Sequence, residues 1–558
     1  MLYYSSSESN NSIQKGTLLM NNNTTEHFTE PEILHTEPDF GPPQENAALL
    51  QTEANETTRT KNMNTAVPGE RMEITFVTAT GTYTPLTDLV PANAQYPDSD
   101  LGNAGRFLDI YKDRIHYCEA EKCWYVFDDV CWKPDTTKAV PGMARDALYA
   151  SYTRQIKDLE EADGIKDFAR LQKLHKLRDK AGNYSAIQNC LNMASIETAI
   201  TPESFDAEPY WFHAQNGALD LRDFKGCLYH NPAHLFSKTA GTSFEDGNTA
   251  VPSENYPEGF PYCPHWIQFV LQCCNMDMQL YYYIQKAAGY SILTGDISEQ
   301  KVFCLLGEGR NGKSLFINTL AEIAGDYASK IEASVLCTNR FGDKDNDMSK
   351  ELYRIKGSRF VYSNEFGRSS VLNENFIKTI TDGGKIACRP LYGASIEYKP
   401  TYTLWFSTNH MPNLQAMDEG IRRRVVVIPF RNNLTEEQID RSLAEKFRRE
   451  YPAILTWLIQ GYYLYKKRGF QPPAAVLDAT KGYFTEQDIF KLFLDENYVI
   501  DENGKTKAKD LYQFYHIWCE ENGEKYVSNV LFSREMQRLN IGKHEDKNGT
   551  QYHLLPIN

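Results

Sequence analysis

The sequence predicts an α/β fold with a central sheet, preceded by a mixed α+β or helical domain and followed by a small domain. Three observations indicate this architecture. Between residues 300 and 430, short apolar runs alternate with helical patterns, as in a sheet covered by helices. Residues 141–200 are charged and have helical periodicity, and residues 486–558 are helical with a strand-like finish. A chain of 558 residues also favours several domains.

Residues 1–98 are expected to be a disordered acidic tail. They are rich in Asn, Thr, Glu, Ser and Pro, a composition that buries too little apolar surface to offset the entropy of folding. Residues 1–70 hold ten acidic side chains against three basic ones, which is nearly half of the net charge of −15. Within the tail, residues 72–77 are apolar enough for one strand. Because the acidity is uneven, the net charge does not exclude a local basic channel for nucleic acid.

Residues 99–240 are expected to form an α+β domain. Residues 124–127 and 131–132 have the pattern of a hairpin, and a turn at Asn216-Gly217 indicates a second one. Residues 241–299 are expected to be a helical linker, with two helices within 264–294. Residues 433–485 are expected to be helical, and their core candidates are Trp457, Ile459, Tyr462 and Tyr463.

No stretch of 18 or more apolar residues is present, so the sequence predicts neither a membrane span nor a membrane partner. The first residues lack the charged and then apolar regions of a secretory signal. A cytoplasmic protein is therefore expected.

A phosphate-binding loop is predicted at residues 307–314, between an apolar strand and a helix that ends at Gly325. The segment matches G-x-x-x-x-G-K-[ST] in full; its residues are Gly307, Glu308, Gly309, Arg310, Asn311, Gly312, Lys313 and Ser314. Glycines let backbone N–H groups surround phosphate oxygens, and the helix N-terminus adds favourable partial charge. Lys313 is expected to reach the β- and γ-phosphates of ATP, and Ser314 to bind Mg²⁺. The alternative is a glycine-rich turn without a ligand.

Two later strands are expected to end in polar groups that serve this loop. An apolar run at residues 359–363 leads to Asn364 and Glu365. Glu365 is expected to polarise the attacking water or to hold the metal. The run at residues 402–408 leads to Asn409, whose amide is expected to bond the γ-phosphate or the water. A turn-forming Asn is the alternative at that position.

Three arginines, Arg422, Arg423 and Arg424, precede an apolar run at residues 425–428. A guanidinium can stabilise charge on a transferring phosphate, often from a neighbouring subunit. A solvated basic face is the alternative, and the sequence does not decide which of the three arginines would act.

Together these motifs resemble those of the superfamily 3 helicases, in particular the helicase part of phage and plasmid primase–helicases, which are related to the poxvirus primase–helicase. The loop has the family form G-x-G-x-N-G-K-S. Glu365 matches the Walker B acid, Asn409 the third motif, and Arg423 and Arg424 the arginine pair. A family motif at residues 378–389 differs here, because Lys385 stands where the family has an acid.

The resemblance covers about residues 100–558 and implies the remaining assignments. It implies an AAA+-like P-loop ATPase domain at 300–432, the family's N-terminal domain at 99–240, a helical collar at 241–299 and a winged-helix-like domain at 486–558. It implies an ATP-dependent DNA helicase that acts in the replication of a phage, plasmid or integrated mobile element. Such proteins form homo-oligomeric rings, commonly hexamers, on single-stranded or forked DNA. The implied catalytic residues are Lys313, Glu365, Asn409, Arg423 and Arg424, and the implied metal ligands are Ser314 and Glu365.

A basic hairpin is predicted between Ile386 and Tyr398. In related motors a hairpin at this point projects into the central channel. Lys385, Arg389 and Lys399 are therefore predicted to contact DNA phosphates, and Tyr392 to stack on a base. A plain surface hairpin is the alternative.

No primer synthesis is expected from this chain, since only a short polar tail precedes the match and it holds no paired acids in an Asp-x-Asp strand context. A separate primase or replication initiator is the expected partner. The competing function is a DNA-translocating or origin-binding ATPase without unwinding activity.

Overall fold

The computed structural model describes the following parts of the chain: residues 75–77, 83–92, 94–161, 167–244, 263–338, 345–364, 366–367, 370–389, 395–414, 418–432, 435–436, 439–523, 526–547 and 549–557. Most of the predicted acidic tail lies outside them. Among the described residues, no helix has both the length and the apolar content needed to cross a bilayer.

The amino-terminal part combines helices with a small sheet. Its elements are β1 (Thr75–Val77), β2 (Tyr83–Pro85), α1 (Leu86–Leu89), α2 (Asp100–Tyr111), β3 (Ile115–Cys118), β4 (Cys123–Phe127), β5 (Trp132–Pro134), α3 (Ala139–Glu161), α4 (Phe168–Ala181), α5 (Tyr184–Glu197) and β6 (Ala199–Ile200). The sheet order is β5-β4-β3-β6, and the predicted hairpin at residues 124–132 is present as β4 and β5.

The folded part begins earlier than the predicted boundary at residue 98. Leu86 and Val90 are buried and pack in one core with Phe107 and Leu148. Residues 1–98 as a whole are polar, so their average composition hides this short apolar stretch. Burial of a few apolar groups is enough to hold a short segment when a core already exists beside it.

A second hairpin and two long helices follow. They are β7 (Trp211–Ala214), β8 (Gly217–Asp220), β9 (Lys225–Leu228), α6 (Pro264–Cys273) and α7 (Met278–Leu293). The turn predicted at Asn216-Gly217 is confirmed, since β7 pairs with β8 across it. Residues 263–293 do not form a separate linker. Trp266, Phe269 and Ile284 belong to the central core, because α6 and α7 cover one face of the main sheet.

The central region is a five-stranded parallel sheet with helices on both faces. Its elements are β10 (Val302–Leu306), α8 (Lys313–Ala324), β11 (Ala328–Lys330), α9 (Asp345–Arg354), β12 (Phe360–Asn364), α10 (Glu374–Thr381), β13 (Ile386–Cys388), β14 (Ile396–Tyr398), β15 (Thr403–Thr408), α11 (Glu419–Arg422) and β16 (Val425–Pro429). The strand order is β11-β12-β15-β10-β16, and every pair is parallel. The predicted α/β fold with a central sheet is confirmed.

Both faces of this sheet are buried, which explains the continuous apolar runs that predicted its strands. In β10, Phe303 and Leu305 point to the core beneath α6 and α7, whereas Val302 and Cys304 point to the opposite core. Arg359, next to the start of β12, is buried as well. Its guanidinium donates to the carbonyls of Trp211 (2.6 Å) and Leu293 and lies 4.5 Å from the Tyr327 ring centre. It thereby joins β7, α7 and the sheet.

The carboxyl-terminal part contains α12 (Leu443–Arg468), α13 (Ala474–Glu486), α14 (Ile489–Asn497), β17 (Tyr498–Ile500), β18 (Thr506–Lys507), α15 (Ala508–Glu521), α16 (Asn529–Arg538), β19 (Lys543–Asp546), β20 (Gly549–Tyr552) and β21 (Leu554–Pro556). The first helix, α12, packs along α7. Trp457, Ile459 and Tyr462 are buried as predicted, and Tyr463 is half-buried. The segment after α13 has its own apolar core.

The contact between α7 and α12 predicts one stability difference. A Cβ at Gly461 would overlap the backbone carbonyl of Gln285, so Gly461→Ala must separate the two helices. We expect a loss of about 2 kcal/mol in the free energy of unfolding, as for overpacked cores. Gly482→Ala in α13 is the matched control, because no atom lies within 4 Å of the point that a Cβ there would occupy. Urea unfolding followed by circular dichroism measures both, and equal midpoints would contradict the close contact.

Candidate functional site

The predicted phosphate loop connects the carboxyl end of β10 to the first turn of α8. In β10, Leu306 is in register with Thr408 of β15 and with Pro429 of β16, so three strands end beside the loop. Ligands of open parallel sheets bind in the crevice outside the carboxyl ends of the strands. The loop therefore occupies the ligand-binding edge of this fold.

The Lys313 side chain lies inside the loop and contacts the tip of the next strand. It is buried, and its Nζ donates to the Gly307 carbonyl (2.7 Å), to Asn311 Oδ1 (2.7 Å) and to Asn409 Oδ1 (3.0 Å). Lys313 and Asn409 are 96 positions apart in the sequence. The fold thus brings together two of the predicted catalytic residues at one point.

Asn311 and Gly312 hold the loop in shape. Asn311 Nδ2 donates to the carbonyls of Glu308 (2.7 Å) and Phe430 (3.2 Å), which ties the loop to the end of β16. Gly312 has φ +85°, and a Cβ there would come within 2.7 Å of the Phe269 ring and 2.9 Å of Cys273 Sγ. Only glycine fits a left-handed backbone pressed against α6.

Support from α6 was not predicted from the sequence, which indicated only a linker there. Cys273 Sγ lies 3.5 Å from the Asn311 carbonyl and donates to it. Burial raises the pKa of the Cys273 thiol far above its usual range, so the group stays neutral beneath the loop. No local pattern marks Phe269 or Cys273, because their role depends on how α6 packs.

The rim of the loop is exposed to solvent. Glu308, Gly309, Arg310 and Ser314 are all exposed, and the Ser314 hydroxyl lies on the first turn of α8. The Arg310 guanidinium is 2.7 Å from a Glu436 carboxylate oxygen. The loop therefore keeps its lysine inside and leaves its serine and its charged rim open to a ligand or a second protein.

The end of β12 carries an amide oxygen that has no partner in the described part of the chain. It is Asn364 Oδ1, and the Ser363 hydroxyl beside it is also buried without a partner there. Asn364 pairs in register with Ser407 of β15, next to the strand tip that carries Asn409. A buried polar group of this kind calls for a ligand, an ion or water. Glu365 lies outside the described residues.

The three arginines occupy different environments. Arg424 is buried, and it donates to Thr381 Oγ1 (2.9 Å), the Gly420 carbonyl (2.9 Å) and Asp382 Oδ1 (2.8 Å). Burial, and next the charge of Arg423, lower the pKa of Arg424. Its guanidinium is thus held within the chain by three acceptors.

Arg422 and Arg423 lie closer to the surface. Arg422 is half-buried over the Phe484 ring, 5.2 Å from its centre. Arg423 is exposed and donates from Nη2 to Gln300 Oε1 at 3.2 Å. Arg423 is therefore the member of the group that is best placed to reach a second molecule.

Arg423 and the loop lie at opposite edges of the sheet. The arginines precede β16 and the loop follows β10, while these two strands run parallel with Val302 opposite Val425. A strand of five residues is about 17 Å long. Arg423 therefore cannot reach the phosphate loop of its own chain in this arrangement.

The predicted basic hairpin is present as β13 and β14, which pair with Ile386 opposite Tyr398. Lys385, Arg389 and Lys399 are exposed around it. Asp382, shortly before the hairpin in the sequence, accepts from Arg424 and from Gln300 Nε2 (3.3 Å). The base of the hairpin therefore lies at the same edge of the sheet as Arg423. Tyr392 comes between the two strands in the sequence and lies outside the described residues.

Comparison with known proteins adds a family relationship. Residues 104–275 match the family described as D5 N terminal like, and residues 305–424 match a family of unknown function. A protein of Acanthamoeba polyphaga mimivirus named as a putative helicase is 28% identical over 249 residues, which are 41% of this chain and 26% of that protein. The resemblance to primase–helicases is confirmed.

Two other viral proteins are similar over longer segments. One, from Frog virus 3, is named as a putative helicase; it is 22% identical and the match covers 43% of this chain and 26% of that protein. One from African swine fever virus is named as a putative primase; it is 23% identical and the match covers 57% of this chain and 34% of that protein. The chain thus spans about a quarter to a third of the length of these relatives.

Among solved structures, the chain aligns with the C-terminal region of NrS-1. The TM-score is 0.41 at 11% identity, and the alignment covers 80% of this chain and 96% of that one. This likeness is too distant to carry a conclusion.

The contacts of the arginines predict that two neighbouring substitutions change stability by very different amounts. Arg424→Ala removes three hydrogen bonds from a buried charged group, and we expect it to lower the free energy of unfolding by about 3 kcal/mol. Arg423→Ala removes one exposed hydrogen bond, and we expect a change below about 0.5 kcal/mol. Chemical denaturation compares the two, and equal losses would refute the buried role of Arg424.

Proposed function

We propose that this chain is an ATP-dependent DNA helicase of superfamily 3, which acts in the replication of a phage, plasmid or integrated mobile element. We propose that it works as a homo-oligomeric ring, a hexamer by family resemblance, on single-stranded and forked DNA. The observation that carries the proposal is the Lys313 contact with Asn311 and Asn409 at the carboxyl edge of a parallel sheet. The names of the viral relatives agree with it.

The residues at this edge fit a nucleotide with a divalent ion. The Lys313 ammonium and the backbone N–H groups from Gly307 to Ser314 favour phosphate oxygens, and the Asn364 amide oxygen lacks a partner in the described region. Ser314 and Glu365 would hold Mg²⁺, which neutralises phosphate charge when bound.

In this mechanism the side chains of the chain position the phosphates and the water. Phosphate oxygens would replace Asn311 and Asn409 as acceptors for Lys313, because a charged acceptor bonds an ammonium more strongly than an amide does. Asn409 would then be released to orient the water, with Glu365 as the base that polarises it. The loop and the tip of β15 would therefore respond together to the γ-phosphate.

Arg423 would act on the nucleotide of a neighbouring subunit. It is exposed and lies at the edge opposite its own loop, so only the loop of another copy is within its reach. A guanidinium at that point stabilises charge on the transferring phosphate. In a closed ring every subunit would make this contact. Each head-to-tail interface then joins the arginine edge of one copy to the loop edge of the next.

DNA contacts are assigned to Lys385, Arg389, Lys399 and Tyr392 of the β13–β14 hairpin. Three exposed cations around one short hairpin suit the phosphates of a single strand. The carboxyl-terminal segment 486–558 is proposed to be winged-helix-like, and a separate primase or replication initiator is the proposed partner.

ATPase and unwinding assays on the full chain test the proposal. We expect Lys313→Ala to lower ATP turnover by at least about 100-fold, since it removes the main cation at the phosphates. Lys467→Ala, an exposed lysine on α12, is the control and should retain full turnover. The proposal fails if the assembled wild-type protein shows neither ATPase activity nor separation of a forked duplex.

The second candidate function is a DNA-translocating or origin-binding ATPase. It would be favoured if single-stranded DNA stimulated ATP turnover while the forked duplex stayed intact.

Asn409 gives a sharper test of the loop. Asn409→Ala should lower kcat by about 100-fold and leave nucleotide affinity nearly unchanged, because only the positioning amide is lost. Asn409→Asp should weaken nucleotide binding instead, since its carboxylate would pair with Lys313 at the 3.0 Å site and compete with phosphate. Binding of a fluorescent ATP analogue and single-turnover hydrolysis separate the effects. Equal behaviour of the two variants would count against the proposed role of Asn409.

Mixing two inactive variants tests the contribution of Arg423 in trans. Lys313→Ala and Arg423→Ala rings should each be inactive. An equal mixture should regain about a quarter of wild-type activity, because that share of interfaces joins an intact loop to an intact arginine. Native mass spectrometry checks that mixed rings form. No recovery in such rings would refute catalysis across the interface.

A further inference from the structure

Asp488, between α13 and α14, is a buried carboxylate that two arginines from different parts of the chain share. Its side chain is almost fully buried. It accepts two bonds from the Arg538 guanidinium (2.9 and 2.8 Å), and Arg422 Nη2 lies 3.8 Å from its Oδ2. Arg422 ends α11 beside Arg423, whereas Arg538 ends α16 in the carboxyl-terminal part. One acid thus connects the arginines of the central region to the last part of the chain.

The end of α13 holds the same central segment at two earlier points. The buried Tyr483 hydroxyl donates to the Pro412 carbonyl at 2.7 Å. Gln487, the first residue after α13, accepts from the Leu414 backbone N–H through Oε1 at 3.1 Å. Both contacts fall shortly after Asn409 in the sequence. The end of α13 is therefore fastened to the stretch that leads from the tip of β15 towards the arginines.

Arg423 lies between two anchored neighbours. Arg424 is held by Asp382 and by the end of α10. Arg422 is held on the side of α13, where its guanidinium lies 5.2 Å from the centre of the Phe484 ring and pairs with the shared carboxylate. Two separate helices therefore fix the chain on both sides of Arg423.

Open space surrounds the side chain of Arg423 itself. It lines a cavity of about 770 Å³ between β16, α13 and α16, and in the described part of the chain its guanidinium makes one hydrogen bond, to Gln300. Lys301 and Lys481 line the same cavity, and their ammonium groups offer no acceptor. Close packing therefore does not set the direction of Arg423, and the anchors of its neighbours carry that task.

We propose that Asp488 is a positioning residue for Arg423. It holds Arg422 and thereby the end of α11, while Arg538 keeps the carboxylate in place. The carboxyl-terminal part then takes part in ATP turnover at the loop of a neighbouring copy. A buried carboxylate is a firm anchor, because breaking a buried ion pair leaves an uncompensated charge. The inference rests on the proposed function and concerns how the arginine of that function is held.

The substitution Asp488→Asn tests this role with little change in shape. Asparagine can still cap α14 by accepting from the Lys491 backbone N–H, but it lacks the charge that holds Arg422. We expect kcat of the full-chain ring to fall about tenfold, because a displaced catalytic group slows the chemical step. Nucleotide affinity and assembly should stay as in the wild type. Single-turnover hydrolysis, binding of a fluorescent ATP analogue and analytical ultracentrifugation measure the three quantities.

Two substitutions in α16 give a second test and its matched control. Arg538→Gln removes both bonds to Asp488 and should lower kcat as Asp488→Asn does, so the inference stays testable if the latter variant fails to fold. Glu535→Gln loosens the same arginine, since Glu535 accepts from Arg538 Nε, but it leaves the bonds to Asp488 in place. Its turnover should match that of the wild type. Equal turnover of the two α16 variants would contradict a role for the carboxyl-terminal part.

Mixed rings show in which subunit Asp488 acts. The base mixture joins Lys313→Ala subunits, which supply the arginine, to Arg423→Ala subunits, which supply the loop. Asp488→Asn placed in the arginine donor should lower the recovered turnover about tenfold, whereas the same change in the loop donor should leave it unaltered. A general weakening of the fold would lower both mixtures equally.

Several outcomes overturn the inference. One is an Asp488→Asn ring with the kcat of the wild type and a lower thermal midpoint, since the carboxylate then serves stability alone. Another is an equal loss in both mixtures, or a loss confined to the loop donor. A base mixture that regains nothing removes Arg423 and Asp488 together.

The two proposals fail in different ways. A wild-type chain that neither hydrolyses ATP nor unwinds DNA removes the proposed function and this inference with it. A wild-type ring that does both, with Asp488→Asn at full kcat, removes only the positioning role of Asp488.

Discussion

The parallel register of β10 with β15 and β16 is the constraint on which the rest of the structure depends. It places Leu306, Thr408 and Pro429 side by side at one edge and Val302, Leu404 and Val425 at the other. Residues that follow these strands therefore meet around Lys313, and residues that precede them meet around Arg423 and Asp382. Because a parallel sheet has two chemically different edges, the chain separates the proposed phosphate site from a surface that presents guanidinium groups.

Each edge is stabilised by a buried cation that serves the fold. At the loop edge, Lys313 is held by the Gly307 carbonyl and by the amide oxygens of Asn311 and Asn409. At the other edge, Arg424 is held by Thr381, Gly420 and Asp382, and these bonds connect the strand that follows the arginines to the helix that leads into the basic hairpin.

The helices outside the sheet explain why the loop has a definite shape. Gly312 touches Phe269 and Cys273 of α6, and α7 lies against α12 where Gly461 leaves no room for a side chain. Arg359 then joins α7 and β7 to the sheet through two carbonyls. The phosphate loop is thus supported by segments that precede it by some 40 residues and follow it by some 150. Close packing of this kind transmits small displacements, since protein interiors are nearly incompressible.

The sequence by itself determined the features that depend on neighbouring residues. The loop between β10 and α8, the strand ends at Asn364 and Asn409, both amino-terminal hairpins and the β13–β14 hairpin follow from glycine placement, apolar runs and turn residues, all of which act over a few positions. Leu86 and Val90 escaped prediction because composition averages over a segment. The different environments of Arg423 and Arg424 escaped it because two adjacent arginines look alike until one of them is buried.

Only the tertiary structure decided which residues meet. It brought Asn409 to Lys313, seated Gly312 on α6, and joined Lys301, Lys481 and Arg538 in one cavity although they come from three distant segments. The physical reason is that burial and electrostatic contact depend on distance in space. Local patterns record the conformation of a segment, and they hold no information on the partner against which that segment packs.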